Sequence, residues 1–166
     1  MKKLIVLLIF VINCNFVFAD TGERYHEPAG NFSICPPLNW LIMEYPGLKY
    51  RIFITEQLSG FSPNMNFVDE KYTGSMSQYI ELSLANLKVV FPDILLIRNE
   101  TFTANNGTRG AKLTVNNESF GYFLRLFIYI FPYGGTMYVI TCSVTDNAYL
   151  QFEPLFDESA KTFMVE

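Results

Sequence analysis

The chain has 166 residues, 50% hydrophobic and 16% aromatic, enough apolar material for one globular domain with a sizeable core. Its formal net charge is −4, from 12 basic and 16 acidic side chains, and the longest basic run is Lys2-Lys3. Neutralising phosphates takes a basic patch, so this balance argues against nucleic acid as a partner.

The N-terminus reads as an export signal. Lys2 and Lys3 form a positive start, Leu4 to Ile12 is an uninterrupted apolar run, and Val17-Phe18-Ala19 before Asp20 offers a cleavage site. Residues 1–19 are therefore expected to be a signal peptide, and the run is too short to span a bilayer comfortably. No other stretch is as long and apolar, so the mature chain is expected to have no transmembrane span. Losing Lys2 and Lys3 leaves 10 basic against 16 acidic residues, a net −6. The protein is expected to be periplasmic or extracellular.

Val11-Ile12-Asn13-Cys14 supplies an alternative, because it resembles a lipobox in which Cys14 would be lipidated and hold the protein to the membrane. Asn13 departs from the usual small residue, and apolar Phe16, Val17 and Phe18 follow where a polar tether is usual. Plain secretion therefore leads, with a lipid anchor at Cys14 as the alternative. Two further cysteines, Cys35 and Cys142, would share an oxidising compartment in which a disulfide is allowed. Nothing in the sequence sets their separation. The register of Cys142 with Ile140 and Val144 equally fits a small buried apolar side chain.

Residues 20–30 are polar, contain Gly22, Pro28 and Gly30, and are expected to be a flexible arm. His26 lies there near Glu23 and Glu27, a trio more readily explained by solvation than by metal binding. Asn31 to Cys35 predicts a short strand stopped by Pro36-Pro37. Leu41 to Glu44 and Lys49 to Glu56 predict a hairpin around Pro46-Gly47, with Trp40 as a core anchor. Met65 to Lys71 predicts a strand. Ser75 and Gln78 have capping-box spacing, and Met76, Tyr79, Ile80, Ser83, Leu84, Leu87 and Phe91 make the apolar stripe of a helix stopped by Pro92. Two strands, Ile94 to Thr103 and Ala111 to Val115, flank the turn dipeptide Asn106-Gly107. Asn116 to Ser119 reads as a polar turn. Gly121 to Thr145 predicts a long hairpin about Gly134-Gly135, apolar on both faces and so central to a covered sheet. A last helix is expected to be capped by Asp146 or Asn147 and to become regular near Glu153, since Pro154 suits a first turn.

In this order the segments resemble a PsbP-like domain. The residues that carry the resemblance are Asn31-Phe-Ser-Ile with Pro37-Leu-Asn-Trp40, and Phe61-Ser-Pro-Asn-Met-Asn-Phe-Val68. Met137-Tyr-Val-Ile-Thr141 and Phe152-Glu-Pro-Leu-Phe156 with Lys161-Thr-Phe163 complete them. That superfamily includes the extrinsic PsbP subunit of photosystem II, DcrB-type bacterial envelope proteins and a Ran-binding nuclear import factor. The resemblance implies an α+β fold, an α/β/α sandwich with a central antiparallel sheet flanked by helices, formed by a single domain over residues 31–166. It also implies a role in binding or supporting other proteins, and it transfers no functional site.

No chemical constellation stands out. One histidine in a predicted arm does not make a Ser-His or Cys-His system, and no Gly-x-Ser-x-Gly elbow occurs. Gly107-Thr-Arg-Gly110-Ala-Lys112 has the wrong spacing for a phosphate loop. Asp69-Glu70 and Asp157-Glu158 point apart as neighbours and read as solvated surface. Asn31, Asn99, Asn106 and Asn117 each begin an Asn-x-Ser/Thr sequon, without meaning in a bacterial protein and open to glycosylation in a eukaryotic secretory one. The expectation is a protein that is not an enzyme, with no cofactor and no metal: an exported envelope protein that docks onto another, unidentified envelope protein. The alternative is a carrier of a small apolar ligand or lipid, suggested by the aromatic content.

Overall fold

The structure is a computed structural model and describes residues 20–119 and 121–166. The predicted signal peptide and Cys14 lie outside the described residues. Ten strands and two helices follow the chain as β1 (Tyr25–Glu27), β2 (Phe32–Ile34), β3 (Leu41–Met43), β4 (Ile52–Ile54), β5 (Asn64–Lys71), α1 (Met76–Val90), β6 (Leu95–Thr103), β7 (Arg109–Ser119), β8 (Tyr122–Tyr133), β9 (Thr136–Thr145), α2 (Tyr149–Lys161) and β10 (Met164–Val165). Seven strands form one antiparallel sheet in the order β3-β4-β5-β9-β8-β7-β6, and β1-β2-β10 form a small second sheet. The fold is α+β, with the large sheet at its centre.

The β8–β9 hairpin sits in the middle of the large sheet because both of its faces are apolar. Leu124, Leu126, Ile128 and Ile130 face one way and join Tyr79 and Ile80 of α1. Phe127, Tyr129 and Phe131 face the other way, against Phe152 and Phe156 of α2 and Phe32 and Ile34 of the small sheet. Phe131 stacks on Phe163 with ring centroids 5.0 Å apart and planes 12° from parallel. Trp40 is half-buried, with its ring edge-on to Phe156 at 5.8 Å, so it anchors the approach to β3 on the α2 side.

Local signals explain the ends of the elements. The Ser75 hydroxyl accepts from the Gln78 amide while the Gln78 side chain accepts from the Ser75 amide, the expected capping box. Gly110 lets two backbones approach, because a Cβ there would collide with the Ile130 carbonyl oxygen of β8.

Three expectations need correction. Part of the expected flexible arm, residues 25–27, is strand β1, paired with β2, and the Glu27 carboxylate accepts from the Tyr25 hydroxyl at 2.9 Å and the Ala29 amide at 3.1 Å. Three residues without periodicity carry no strand signal; their partner supplies it. Asn116 to Ser119 continue β7 and pair with β8 as far as Ser119 opposite Tyr122. The polar side chains there mislead, because pairing with β8, joined by β6 only as far as Asn116, and not side-chain pattern extends the strand. Helix α2 begins at Tyr149, runs through Pro154 and has no side-chain N-cap, so Asp146 does not cap it; the Asp146 carboxylate pairs with Arg125. Cys35 is half-buried and Cys142 buried, each placed as a free cysteine.

Candidate functional site

A buried charge cluster lies between the sheet and α2. Alternation along β7 turns Lys112 toward α2 while Ala111 and Leu113 face α1. Glu153 and Asp157, one helical turn apart, meet it: Lys112 Nζ lies 2.7 Å from Glu153 Oε1 and 2.7 Å from Asp157 Oδ1. The Tyr129 hydroxyl donates to Asp157 Oδ1 at 2.7 Å, and Arg98 pairs with Glu153 from the edge strand. Lys112 Nζ also sits 5.1 Å from the Phe127 ring centroid. Asp157 is therefore part of an interior network rather than solvated surface.

The electrostatics of this cluster are those of a structural pairing. Burial works against ionising Glu153, but hydrogen bonds from Lys112 and Arg98 outweigh it and hold the carboxyl below its usual range. Burial pushes the Tyr129 phenol and the Cys142 thiol well up. These three groups keep one protonation state through neutral pH, whereas a general acid or base needs a pKa near the working pH. Among the described residues no group of three or more His, Cys, Asp or Glu is placed to hold a metal ion. His26 Nδ1 lies 2.6 Å from Glu166 Oε1, apart from the inward-facing Glu27.

Helix α1 creates a groove. Its apolar stripe predicts packing along its whole length, yet its buried residues are Tyr79 and Ile80, both in the first half. The Tyr79 hydroxyl donates to Glu70 Oε2 at 2.6 Å and fastens that half to β5. Farther along, Leu87, Val90 and Phe91 line a cleft of about 560 Å³ whose floor is Leu124, Leu126 and Ile128 of β8. That volume falls within the ~300–1,000 Å³ typical of small-molecule sites. Asn117, Ser119, Asn64 and Ser143 also line the cleft, and the register places them together at one end of the sheet. Asn117 is only 6% exposed, and its Oδ1 is buried with no hydrogen-bond partner among the described residues. Read from the sequence, Asn117 is only a sequon. The signal that marks it is its place in the apolar register of Ala111, Leu113 and Val115.

A second surface lies at the other side of the sheet. Edge strand β3 and its flanks expose Leu38, Leu41, Ile42, Met43, Tyr45 and Leu48, with Leu41 67% exposed. A cleft of about 600 Å³ adjoins it, lined by Glu44, Tyr45, Lys49 and Arg51 among others. Edge strands carry unpaired backbone groups, and contiguous exposed apolar side chains mark contact surfaces.

No family model and no curated protein matches the chain. Solved structures do. The chain is similar to the cyanobacterial PsbP protein CyanoP of Synechocystis at TM-score 0.66 and 13% identity, covering 94% of this chain and 99% of that one. This chain has the PsbP-like fold. It is also similar to PA94 of Pseudomonas aeruginosa, a protein of unknown function, at TM-score 0.61 and 14% identity over 86% of this chain and 96% of that one. A third likeness is to LpqN of Mycobacterium tuberculosis, involved in cell envelope biogenesis, at TM-score 0.59 and 12% identity over 89% of this chain and 86% of that one. At these identities the likeness is one of fold. Among the described residues of this PsbP-like chain, no helix is long and apolar enough to cross a membrane.

Proposed function

We propose that this PsbP-like chain is a non-enzymatic, exported accessory protein of the bacterial cell envelope that docks onto another protein. The observation that carries the reading is the exposed apolar surface on and around β3, a sheet edge with six large apolar side chains facing solvent within residues 38–48. A partner would bury these side chains and pair with the free edge of β3, while Glu44, Lys49 and Arg51 in the adjoining cleft would set orientation. The leader-like N-terminus supports export, and the structure of LpqN, involved in cell envelope biogenesis, makes an envelope role consistent with the fold. The structural character of the Lys112 cluster supports a role outside catalysis.

The test is a photo-cross-linking side chain placed at Leu41 or, as control, at exposed Glu81 of α1, in the full chain in its native host. The reading expects a discrete adduct from Leu41 and none at that mass from Glu81. Identical adduct patterns from both positions, or none from Leu41, overturn it. A second reading, carriage of a small apolar ligand, is favoured by the groove under α1 and does not compete for the same surface.

A further inference from the structure

We infer that the protein self-associates through one end of the large sheet, where an uncharged apolar patch fits a second copy of the chain across a two-fold axis. The inference goes beyond the docking reading, which concerns β3 on the sheet edge opposite β6. Register brings the patch together. Leu95 at the start of β6 pairs with Asn116 near the end of β7, Tyr122 at the start of β8 pairs with Ser119, and Leu124 pairs with Thr145 at the end of β9. The end of α1 and the starts of β6, β8 and α2 therefore meet at one end of the fold. There Val89, Val90, Leu95, Leu96 and Ile97 are all exposed, Val89 by 82%. Phe123 and Leu150 join them, 69% and 75% exposed. Leu87, Phe91 and Ile94 of the same stretch turn inward to the core, so the outward set is additional to what packing α1 on the sheet requires.

Area and charge together favour a second copy. The outward side chains present on the order of 800 Å² per copy, which is the share of each partner in a standard interface of ~1,600 Å². A two-fold interface sets a patch against itself, so a charge near its centre meets its like. None of these side chains carries one. Exposed Asp93 and Glu118 flank the patch. At the rim of a dimer solvent screens them, whereas an anionic lipid surface would repel them over its whole area. Sheet extension is not the mode of contact. The register of β6 shifts between Leu96 and Arg98, and such a bulge blunts an edge strand. The two copies therefore meet through side chains rather than through a shared ladder.

Sedimentation equilibrium of residues 20–166, from micromolar to submillimolar concentration, tests this. The wild type is expected to approach twice the monomer mass as concentration rises. Leu95→Glu and Phe123→Glu should each weaken association at least about tenfold, because each sets a charge against apolar surface in both copies. Leu41→Glu, on β3, should leave it unchanged. All three positions are exposed, so the variants are expected to keep the wild-type circular dichroism spectrum. A wild type that stays monomeric at the highest concentration overturns the inference whatever the variants do. So does a dimer that Leu95→Glu and Phe123→Glu leave intact, or one that Leu41→Glu dissolves. A monomer that sediments with phosphatidylcholine vesicles, and no longer does so as Phe123→Glu, would show that a lipid surface covers the patch and would equally overturn it.

Discussion

Replacing Lys112 by methionine keeps the aliphatic stem and removes the charge that faces Glu153 and Asp157 2.7 Å away. Breaking a fully buried pair by deleting one partner costs about 3–5 kcal/mol. Here the carboxylate side chains retain 18% and 27% exposure and are partly screened by water. Arg98 still faces Glu153, and the Tyr129 hydroxyl still donates to Asp157. The expected loss is therefore roughly 2–3 kcal/mol at neutral pH, read as a shift of the urea midpoint and a fall in Tm of about 6–9 °C. The dependence on pH has a definite sign. Glu153 has a lowered pKa in the folded protein, so its contribution to stability is present above the unfolded glutamate value and is lost as pH falls through the folded value. Lys112→Met removes one cause of that lowering. The gap between wild type and variant should be widest at neutral pH and narrow as pH falls through the lowered Glu153 value and that carboxylate protonates. A gap under about 0.5 kcal/mol, or one that does not change with pH, would refute the view that Lys112 is a buried counter-charge.

Three further outcomes follow from local geometry. Gly110→Ala forces a Cβ onto the Ile130 carbonyl and should cost about 1–3 kcal/mol in denaturant titration; a change within experimental error would mean the β7–β8 approach is looser than described. Ser75→Ala removes the capping box and about 1 kcal/mol of helix stability. Because α1 is held mainly through Tyr79 and Ile80, hydrogen exchange should speed up in α1 and not in β8 or β9, and a uniform increase would count against the loosely held helix. Cys142 is wholly buried with its thiol pKa raised by desolvation, so a thiol reagent should label Cys35 in the native mature chain and reach Cys142 only on unfolding. Non-reduced, unfolded protein in which neither thiol reacts would show a bridge instead.

Much of the architecture was legible because it rests on local chemistry. Alternation in β8 and β9 assigns Leu124, Leu126, Ile128 and Ile130 to one side of the sheet and Phe127, Tyr129 and Phe131 to the other, and the structure buries them so. The Ser75–Gln78 capping box starts α1 where its spacing says, and Asn106-Gly107 and Gly134-Gly135 turn the chain as glycine at positive φ allows. Those signals act within a few residues, and the sequence by itself carries them. What it could not carry was how deeply each part of an apolar stripe is buried. Met76 to Phe91 is one continuous stripe in sequence, yet only Tyr79 and Ile80 are fully buried, while Leu84, Leu87 and Phe91 rest half-buried against the sheet and Leu87 and Phe91 also wall a groove. Likewise β1 exists because β2 pairs with it, and Lys112, Glu153 and Asp157, spread over more than forty residues, become one cluster only when β7 and α2 pack together. The sequence alone determined the strands, turns and helix faces, because each of those depends on neighbours a few residues away. Tertiary structure alone decided where charge is buried and where apolar surface is left open, because burial depends on partners that chain order does not name.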